Sequence, residues 1–177
     1  MTKVFIKFAM SMELKTLVFI LASTMLPAIA FAENKPERIV SMSPSLTEIV
    51  FAIGAGAQVV AVDNYSDYPP EAPITSLSAF EPNLEAIATF DPDLVILSYD
   101  IGDLVKGLNL IGVDTMLLPA AKNFNGILDQ VRDLGEKTGN IQQANKLSEQ
   151  MGSKMNNLIE TRKNKDSLRI YHEIDDN

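Results

Sequence analysis

From Arg38 onward the chain alternates short runs of β-branched and aliphatic residues with segments whose apolar residues repeat every three or four positions. The short runs have the length of strands, and the longer segments have the period of helices. Alternation of this kind is typical of βαβ units, in which helices join the parallel strands of one sheet. The sequence therefore predicts an α/β fold with a Rossmann-like parallel sheet. Its predicted strands are residues 38–42, 59–62, 94–98 and 114–118.

Helix-start residues follow the first predicted strand. Ser45 and Glu48 have the spacing of a capping box, in which two side chains satisfy the free backbone N–H groups at a helix start. Pro44 suits the first turn of a helix or the residue just before it. Glycines at positions 54 and 56 end the apolar repeat that follows. We therefore predict a helix that starts with this capping box and ends near residue 53. The later helices are predicted at residues 83–89, 101–111 and 125–138.

Residues 141–161 carry a long helical pattern near the end of the chain. Their apolar side chains step by three and four positions and form one stripe of an amphipathic helix. A helix of about 20 residues is about 30 Å long, so it can cross from one lobe of a protein to another. Residues 168–174 then alternate like a strand. Because a lone strand has unpaired backbone groups, we expect it either to join the edge of the first sheet or to begin a second lobe that this chain does not contain.

The first 32 residues have the order of a secretory signal peptide. Lys15 precedes an apolar run at residues 16–31, which ends in the small-x-small cleavage site Ala30-Phe31-Ala32. A membrane-spanning helix needs about 20 apolar residues, whereas this run has 16 residues and contains Pro27. We therefore expect cleavage after Ala32 and export of the mature chain. Translation can start at any of three methionines: Met1, Met10 or Met12.

Charge and composition exclude several classes of function. The 177 residues include 15 Lys plus Arg against 23 Asp plus Glu, which gives a formal net charge of −8 at pH 7. Because a protein that binds nucleic acid needs a basic face, we expect no nucleic-acid partner. The chain has no Cys and one His. Disulfides, thiolate nucleophiles, zinc ribbons and multi-histidine metal centres are therefore excluded, and we predict neither a metal site nor a bound cofactor.

None of the sequence motifs assembles a catalytic site. Gly54-Ala55-Gly56 follows a predicted helix and has Val59 where a dinucleotide fingerprint needs glycine, so its order and spacing are wrong for phosphate binding. The nucleophile elbow of hydrolases and the Walker lysine motif are absent. Asp91 and Asp93 are close carboxylates, but an Asp-Pro-Asp segment before an apolar strand is more typical of a turn. We therefore predict no catalytic residues and no enzymatic activity.

Polar and aromatic residues follow the predicted strands at the positions where a ligand would bind. In open α/β sheets, ligands lie beyond the carboxyl ends of the strands. Ser43 and Ser45 follow the first strand, while Tyr65 follows the second and Tyr99 the third. A tyrosine offers a flat apolar face and a hydroxyl group, which suits a large planar or macrocyclic ligand. The alternative is that Tyr65 and its neighbour Tyr68 only pack their own proline-rich loop.

Four sequence blocks resemble the substrate-binding proteins of ABC importers for cobalamin and iron chelates, the helical-backbone class of periplasmic binding proteins. The blocks occur in the order that this family has, and they make the resemblance specific. They are residues 38–48, 65–72, 83–85 and 92–96. The loop with tyrosines and prolines in the second block is most similar to that of cobalamin-binding members.

The resemblance implies two α/β lobes that are joined by one long rigid helix, with the ligand between the lobes. Residues 33–140 would then be the N-terminal ligand-binding lobe, and residues 141–163 would be the bridging helix. Residues 164–177 would begin the second lobe. We therefore expect the chain to correspond to the N-terminal part of such a protein.

The resemblance also implies roles for single residues. Tyr65 matches a tyrosine that stacks on the corrin ring in cobalamin binders, whereas Ala79 and Ser98 stand where those proteins place tryptophans. Glu85 matches an exposed glutamate that pairs with arginines of the membrane permease. These matches predict a ligand surface and a docking residue on the same lobe.

The expected function is that of a periplasmic solute-binding protein that is not an enzyme. It would deliver a metal chelate, either cobalamin or a ferric siderophore, to an ABC permease, and it would not insert into the membrane after signal cleavage. The alternative is an exported α/β interaction module that has no small-molecule ligand.

Overall fold

The computed structural model describes residues 35–163. The predicted leader at residues 1–32 and the predicted strand at residues 168–174 lie outside the described residues. Within residues 35–163, none of the helices combines the length and the hydropathy that crossing a membrane requires.

The described chain is built on a four-stranded sheet in which each strand is parallel to its neighbours. The order across the sheet is β2-β1-β3-β4. The predicted α/β fold with a Rossmann-like parallel sheet is therefore confirmed, with the strands where the sequence places them. The strands are β1 (Ile39–Met42), β2 (Val59–Val62), β3 (Leu94–Leu97) and β4 (Asp114–Leu117).

Helices cover both faces of this sheet. Alternate residues of a strand point to opposite faces, so Ile39 and Val40 belong to two different buried cores. The helices at Pro44–Ala52, Phe124–Thr138 and Ile141–Arg162 pack on the face of Ile39. The helices at Leu84–Ala88 and Leu104–Leu110 pack on the face of Val40. The two cores fix the sheet and leave the ends of its strands free to carry a site. The helices of residues 35–163 are α1 (Pro44–Ala52), α2 (Leu84–Ala88), α3 (Leu104–Leu110), α4 (Phe124–Thr138) and α5 (Ile141–Arg162).

The start of α1 differs from the predicted one. The helix begins at Pro44, and Ser43 occupies the N-cap position without a capping hydrogen bond from its side chain, so the capping box predicted from Ser45 and Glu48 is wrong. A proline at the first helical position has a suitable fixed φ and no N–H group that needs a partner. At the other end, Gly54 has a φ of 84°, a left-handed conformation that glycine adopts without strain. The predicted helix end is therefore confirmed.

The two longest helices, α4 and α5, meet at a contact between small residues. Gly135 of α4 lies against Ala144 of α5, and Gly139, with a φ of 75°, ends α4. Ala144 is fully buried, so the first half of α5 belongs to the core of the lobe. In the second half of α5, Leu158 and Ile159 are 61% and 55% exposed. The predicted long helix is confirmed as a helix, and its role as a bridge to a second lobe stays a prediction.

Candidate functional site

The candidate site lies at the carboxyl ends of three neighbouring strands. Ser43 follows β1, Asp63 follows β2 and Ser98 follows β3. Because parallel strands end at the same edge of a sheet, the segments after these residues gather there. Tyr65 and Tyr99 are thereby brought to one edge from the two strands that flank β1.

Three exposed aromatic rings lie next to one another at this edge, and we call Tyr65, Phe80 and Tyr99 the aromatic cluster. The ring centroids of Tyr65 and Phe80 are 5.6 Å apart with their planes at 85°. The centroids of Phe80 and Tyr99 are 6.1 Å apart with their planes at 33°. The three residues remain 59%, 62% and 41% exposed, respectively. A patch of exposed aromatic groups is typical of a binding surface, so the aromatic cluster is the best candidate ligand surface in the described chain.

A buried carboxylate holds the backbone of Tyr65 in place. Asp63 is fully buried, and its Oδ1 atom accepts a hydrogen bond of 2.8 Å from the backbone N–H of Tyr65. The hydroxyl of Ser66 donates to Asp63 Oδ2 at 2.9 Å. Thr47 Oγ1 lies 3.2 Å from Ser66 Oγ and 2.8 Å from Ser41 Oγ, which connects the loop to α1 and β1. The loop that carries Tyr65 is therefore held by a polar network.

The two predicted serines differ in what they expose. The hydroxyl of Ser98 donates to Ser43 Oγ at 2.6 Å, and Ser43 is only 5% exposed. Ser45 is exposed, with its Oγ atom 3.4 Å from that of Ser43. Ser45 can thus offer an exposed hydroxyl to a ligand, while Ser43 joins the ends of β1 and β3.

A surface cavity of about 440 Å³ adjoins the aromatic cluster through Phe80. Its walls come from the segment before α2 and from the start of α3. The apolar part of the lining includes Leu84, Ile101 and Leu104. Two carboxylates, Glu81 and Asp103, also line it. The cavity is therefore a concave feature beside the aromatic cluster. The full lining consists of Phe80, Glu81, Pro82, Asn83, Leu84, Ile101, Gly102, Asp103, Leu104 and Gly107.

Glu85, the predicted docking residue, lies in the first turn of α2 and is exposed. The helix start is fixed by Asn83, whose Oδ1 atom accepts a hydrogen bond of 2.8 Å from the backbone N–H of Ala86. A carboxylate in the first turn also interacts favourably with the helix dipole. The side chain of Glu85 forms neither a hydrogen bond nor an ion pair within residues 35–163, so it can bind a cation on another protein.

The close pair Asp91 and Asp93 has a structural role at the opposite edge of the sheet. The carboxylate of Asp93 accepts hydrogen bonds from the backbone N–H groups of Glu37 at 2.7 Å and Arg38 at 3.1 Å. The guanidinium of Arg38 donates to the backbone carbonyl of Asp91 at 2.8 Å. The segment has no assigned turn at residues 91–92 and a bend at Asp93, which lies at the amino end of β3. Over residues 35–163, the acidic side chains do not form a group of three that could hold a metal ion.

Comparison with known proteins identifies the family. Residues 39–171 match the family model described as periplasmic binding protein, which is more than half of the chain. The chain belongs to the periplasmic binding protein family. The resemblance that the four sequence blocks indicate is therefore confirmed.

Individual members of the periplasmic binding protein family are similar over most of this chain. A vitamin B12-binding protein of Vibrio cholerae is 31% identical over 144 residues, which are 78% of this chain and 51% of the relative. An uncharacterized ABC transporter substrate-binding lipoprotein of Bacillus subtilis is 29% identical and covers 74% of this chain and 43% of its own length. The chain thus spans about half the length of the curated relatives that it matches.

A solved structure supports the fold assignment. The crystal structure of the periplasmic haem-binding protein of Vibrio cholerae superimposes with a TM-score of 0.66 at 28% sequence identity. The match covers 72% of this chain and 51% of that one. The described sheet and helices therefore have the fold of a periplasmic binding protein over about half of that protein's length.

An exposed aromatic residue directly follows each of the two positions at which the resemblance places tryptophans. Ala79 and Ser98 stand where the resemblance places tryptophans, and Ala79 is buried. The next residue in each segment, Phe80 or Tyr99, supplies an exposed ring instead. The chain therefore keeps an aromatic surface although it has no Trp.

Proposed function

We propose that the chain is the N-terminal, ligand-binding part of a periplasmic solute-binding protein that captures a planar metal chelate for an ABC permease. Relatives named for vitamin B12, haem and ABC transport support a transport role and not an enzymatic one. The predicted signal peptide supports export. The observation that carries the proposal is the aromatic cluster, because the fold leaves these three rings exposed at the edge where ligands of α/β sheets bind.

The shape of the aromatic cluster favours one kind of chelate. The ring planes of Phe80 and Tyr99 differ by only 33°, so these two rings offer an apolar surface, while the ring of Tyr65 stands nearly perpendicular to that of Phe80. Such a surface complements a flat macrocycle, as in cobalamin or haem, better than it complements a globular ferric siderophore. In this arrangement Tyr65, Phe80 and Tyr99 contact the ring, Ser45 offers a hydroxyl to its periphery, and Ser43 positions Ser98.

Replacement of Phe80 by alanine should weaken the binding of cyanocobalamin about tenfold. An aromatic pair contributes about 0.5–1.5 kcal/mol beyond the area that it buries, and about 1.4 kcal/mol corresponds to a factor of ten.

The dissociation constant of the 177-residue chain itself should be well above micromolar. Ligand sites usually bury about 70–90% of a ligand, whereas the described lobe presents a single surface. An NMR titration measures affinities in this range.

Tyr68→Ala is the matched control for Phe80→Ala. Tyr68 belongs to the same proline-rich loop as Tyr65 and is 62% exposed, as Phe80 is, but its ring is in contact with none of the cluster rings. This variant should bind cyanocobalamin like the unchanged chain. An equal loss of affinity for cyanocobalamin in the two variants would contradict the role of Phe80 as a ligand contact. Sub-micromolar binding by the unchanged chain would contradict a site that covers only one side of the ligand.

Charge reversal at Glu85 should weaken association with the permease without changing ligand binding. We propose that Glu85 pairs with a basic side chain of the permease, because its carboxylate is exposed and unpaired within residues 35–163. Glu85→Lys should lower the amount of permease that co-purifies with the chain from co-expressing cells about fivefold, since an exposed ion pair contributes up to about 1 kcal/mol. Ligand binding should not change. The control is Glu48→Lys, an equally exposed charge reversal on α1, and an equal loss in both variants would disprove the role of Glu85.

A further inference from the structure

The cavity beside Phe80 carries negative charge without any compensating cation in its lining. Glu81 and Asp103 are its charged side chains, and neither Lys nor Arg lines it. Within residues 35–163, neither carboxylate takes part in an ion pair. The cavity therefore presents two free carboxylates directly next to the aromatic surface.

The carboxylate of Asp103 accepts no capping hydrogen bond. An aspartate at the start of a helix normally accepts one from a backbone N–H group of the first turn. Asp103 is the N-cap residue of α3 but makes no capping hydrogen bond with its side chain, and its φ is 58°. The capping role belongs to Asp100, whose Oδ1 atom accepts a hydrogen bond of 3.0 Å from the backbone N–H of Val105. Stabilisation of the helix therefore does not explain the acidic side chain of Asp103 in the cavity.

Most of the remaining lining of the cavity is apolar. Leu84, Ile101 and Leu104 supply aliphatic surface, while the polar residue Asn83 uses its Oδ1 atom to cap α2. A volume of about 440 Å³ is within the range of cavities that hold part of a small molecule. Ionised carboxylates accept hydrogen bonds and donate none, so the two carboxylates of the lining favour groups that carry N–H donors and repel anions.

We propose that this cavity receives a neutral or cationic arm of the bound chelate, with carboxamide or ammonium N–H groups that donate to Glu81 and Asp103. This inference rests on the proposed function, because Phe80 must hold the ring of the chelate for its arm to enter the cavity. A chelate whose arms are carboxylates is disfavoured, since each anionic arm would face two carboxylates of the same sign. The lobe thus selects among planar chelates by the charge at their periphery.

Two corrins with the same ring and metal but different arms test this inference. Dicyanocobinamide carries carboxamide arms, and dicyanocobyrinic acid carries carboxylates in their place. We expect the 177-residue chain to bind the amide corrin about tenfold more tightly at about 0.01 M salt, where charges are screened only beyond about 30 Å. The preference should shrink at high salt. NMR titration should show both the affinities and the shifts of the ring resonances of the aromatic cluster.

A charge-removing double variant and a matched control complete the experiment. Glu81→Gln with Asp103→Asn should reduce the preference for the amide corrin to within about twofold, because the repelling charges are gone. The control is Glu71→Gln with Asp133→Asn, which changes the net charge equally at two exposed positions outside the cavity. It should keep the full preference.

The outcomes separate this inference from the proposed function. A chain that binds both corrins equally, or a double variant that keeps the preference, would overturn the role of the cavity and leave the aromatic site intact. If neither corrin shifts the resonances of the aromatic cluster, the proposed function and this inference are both wrong. A tenfold preference that disappears only in the double variant of the cavity would support the inference.

Discussion

Replacement of Gly135 by alanine should destabilise the chain by up to about 2 kcal/mol, although alanine is the better helix former. A Cβ atom on Gly135 would clash with the Cβ atom of Ala144, where α4 packs against α5. Alanine gains about 1 kcal/mol of helix propensity, but overpacking of a tight core typically costs about 1–3 kcal/mol and here forces two helices apart. The clash should therefore outweigh the gain in propensity. Urea denaturation followed by circular dichroism measures the change in the free energy of unfolding.

Gly152→Ala gives the matched control, because it makes the same substitution in the interior of α5. A Cβ atom on Gly152 would meet only Leu128 Cδ1, at 4.0 Å, which is an ordinary van der Waals contact. The higher helix propensity of alanine is then the only effect, and it should stabilise the lobe by up to about 1 kcal/mol. If Gly135→Ala were as stable as Gly152→Ala, the close contact between α4 and α5 would not exist in solution. The first half of α5 would then not be a fixed part of the lobe.

The sheet could be predicted from the sequence because its signals are local. Residues 94–97 form an uninterrupted aliphatic run, and all of them are buried in β3, as both faces of a covered parallel strand require. The short helix before β3 was predicted at residues 83–89, and the structure shows that Asn83 lies just outside it as its N-cap. In such segments hydrophobicity and element length indicate the structure, and the end of a helix is the least certain part.

The start of α1 shows where two local signals compete. Ser45 and Glu48 have the spacing of a capping box, but Pro44 already has a backbone suited to the first helical turn. The helix therefore starts before the serine that was predicted to cap it. The side chain of Ser43, now at the N-cap, binds the hydroxyl of Ser98 from the neighbouring strand. Spacing along the chain cannot reveal a partner that only the sheet brings near.

The candidate site could be predicted only in part, for the same reason. Tyr65 and Tyr99 follow strands, so the rule for α/β sheets identifies them as site residues. Phe80 lies in the irregular segment between β2 and α2, where chain order gives no indication of its neighbours. A signal was present, since Phe80 is a large apolar residue in a polar and proline-containing stretch. Only the fold shows that its ring joins the two tyrosines.

Asp63→Ala should be among the most damaging single changes in this lobe, with a loss of about 3 kcal/mol in the free energy of unfolding. The substitution leaves the backbone N–H of Tyr65 and the hydroxyl of Ser66 without the oxygens that accept their hydrogen bonds. A buried donor without a partner costs about 1–3 kcal/mol, and this applies to the hydroxyl of Ser66, which is fully buried. The hydrogen bond from the N–H of Tyr65 is only partly buried, so its loss adds less. Urea denaturation again measures the loss.

Two further variants separate the hydrogen bonds of Asp63 from its charge and from its position in the loop. Asp63→Asn keeps a carbonyl oxygen for the N–H of Tyr65 and should cost less than half as much as the alanine variant. Asp67→Ala removes an exposed carboxylate from the same loop, and a surface change of this kind is usually within about 0.5 kcal/mol. If Asp63→Ala were as mild as Asp67→Ala, the polar network would not hold the loop.

Because Asp63 fixes the backbone of Tyr65, Asp63→Ala should also broaden the tyrosine ring resonances and weaken corrin binding at temperatures where the lobe is still folded. A variant that lost stability but kept both the sharp resonances and the affinity would show that the aromatic cluster is held by its own ring contacts instead.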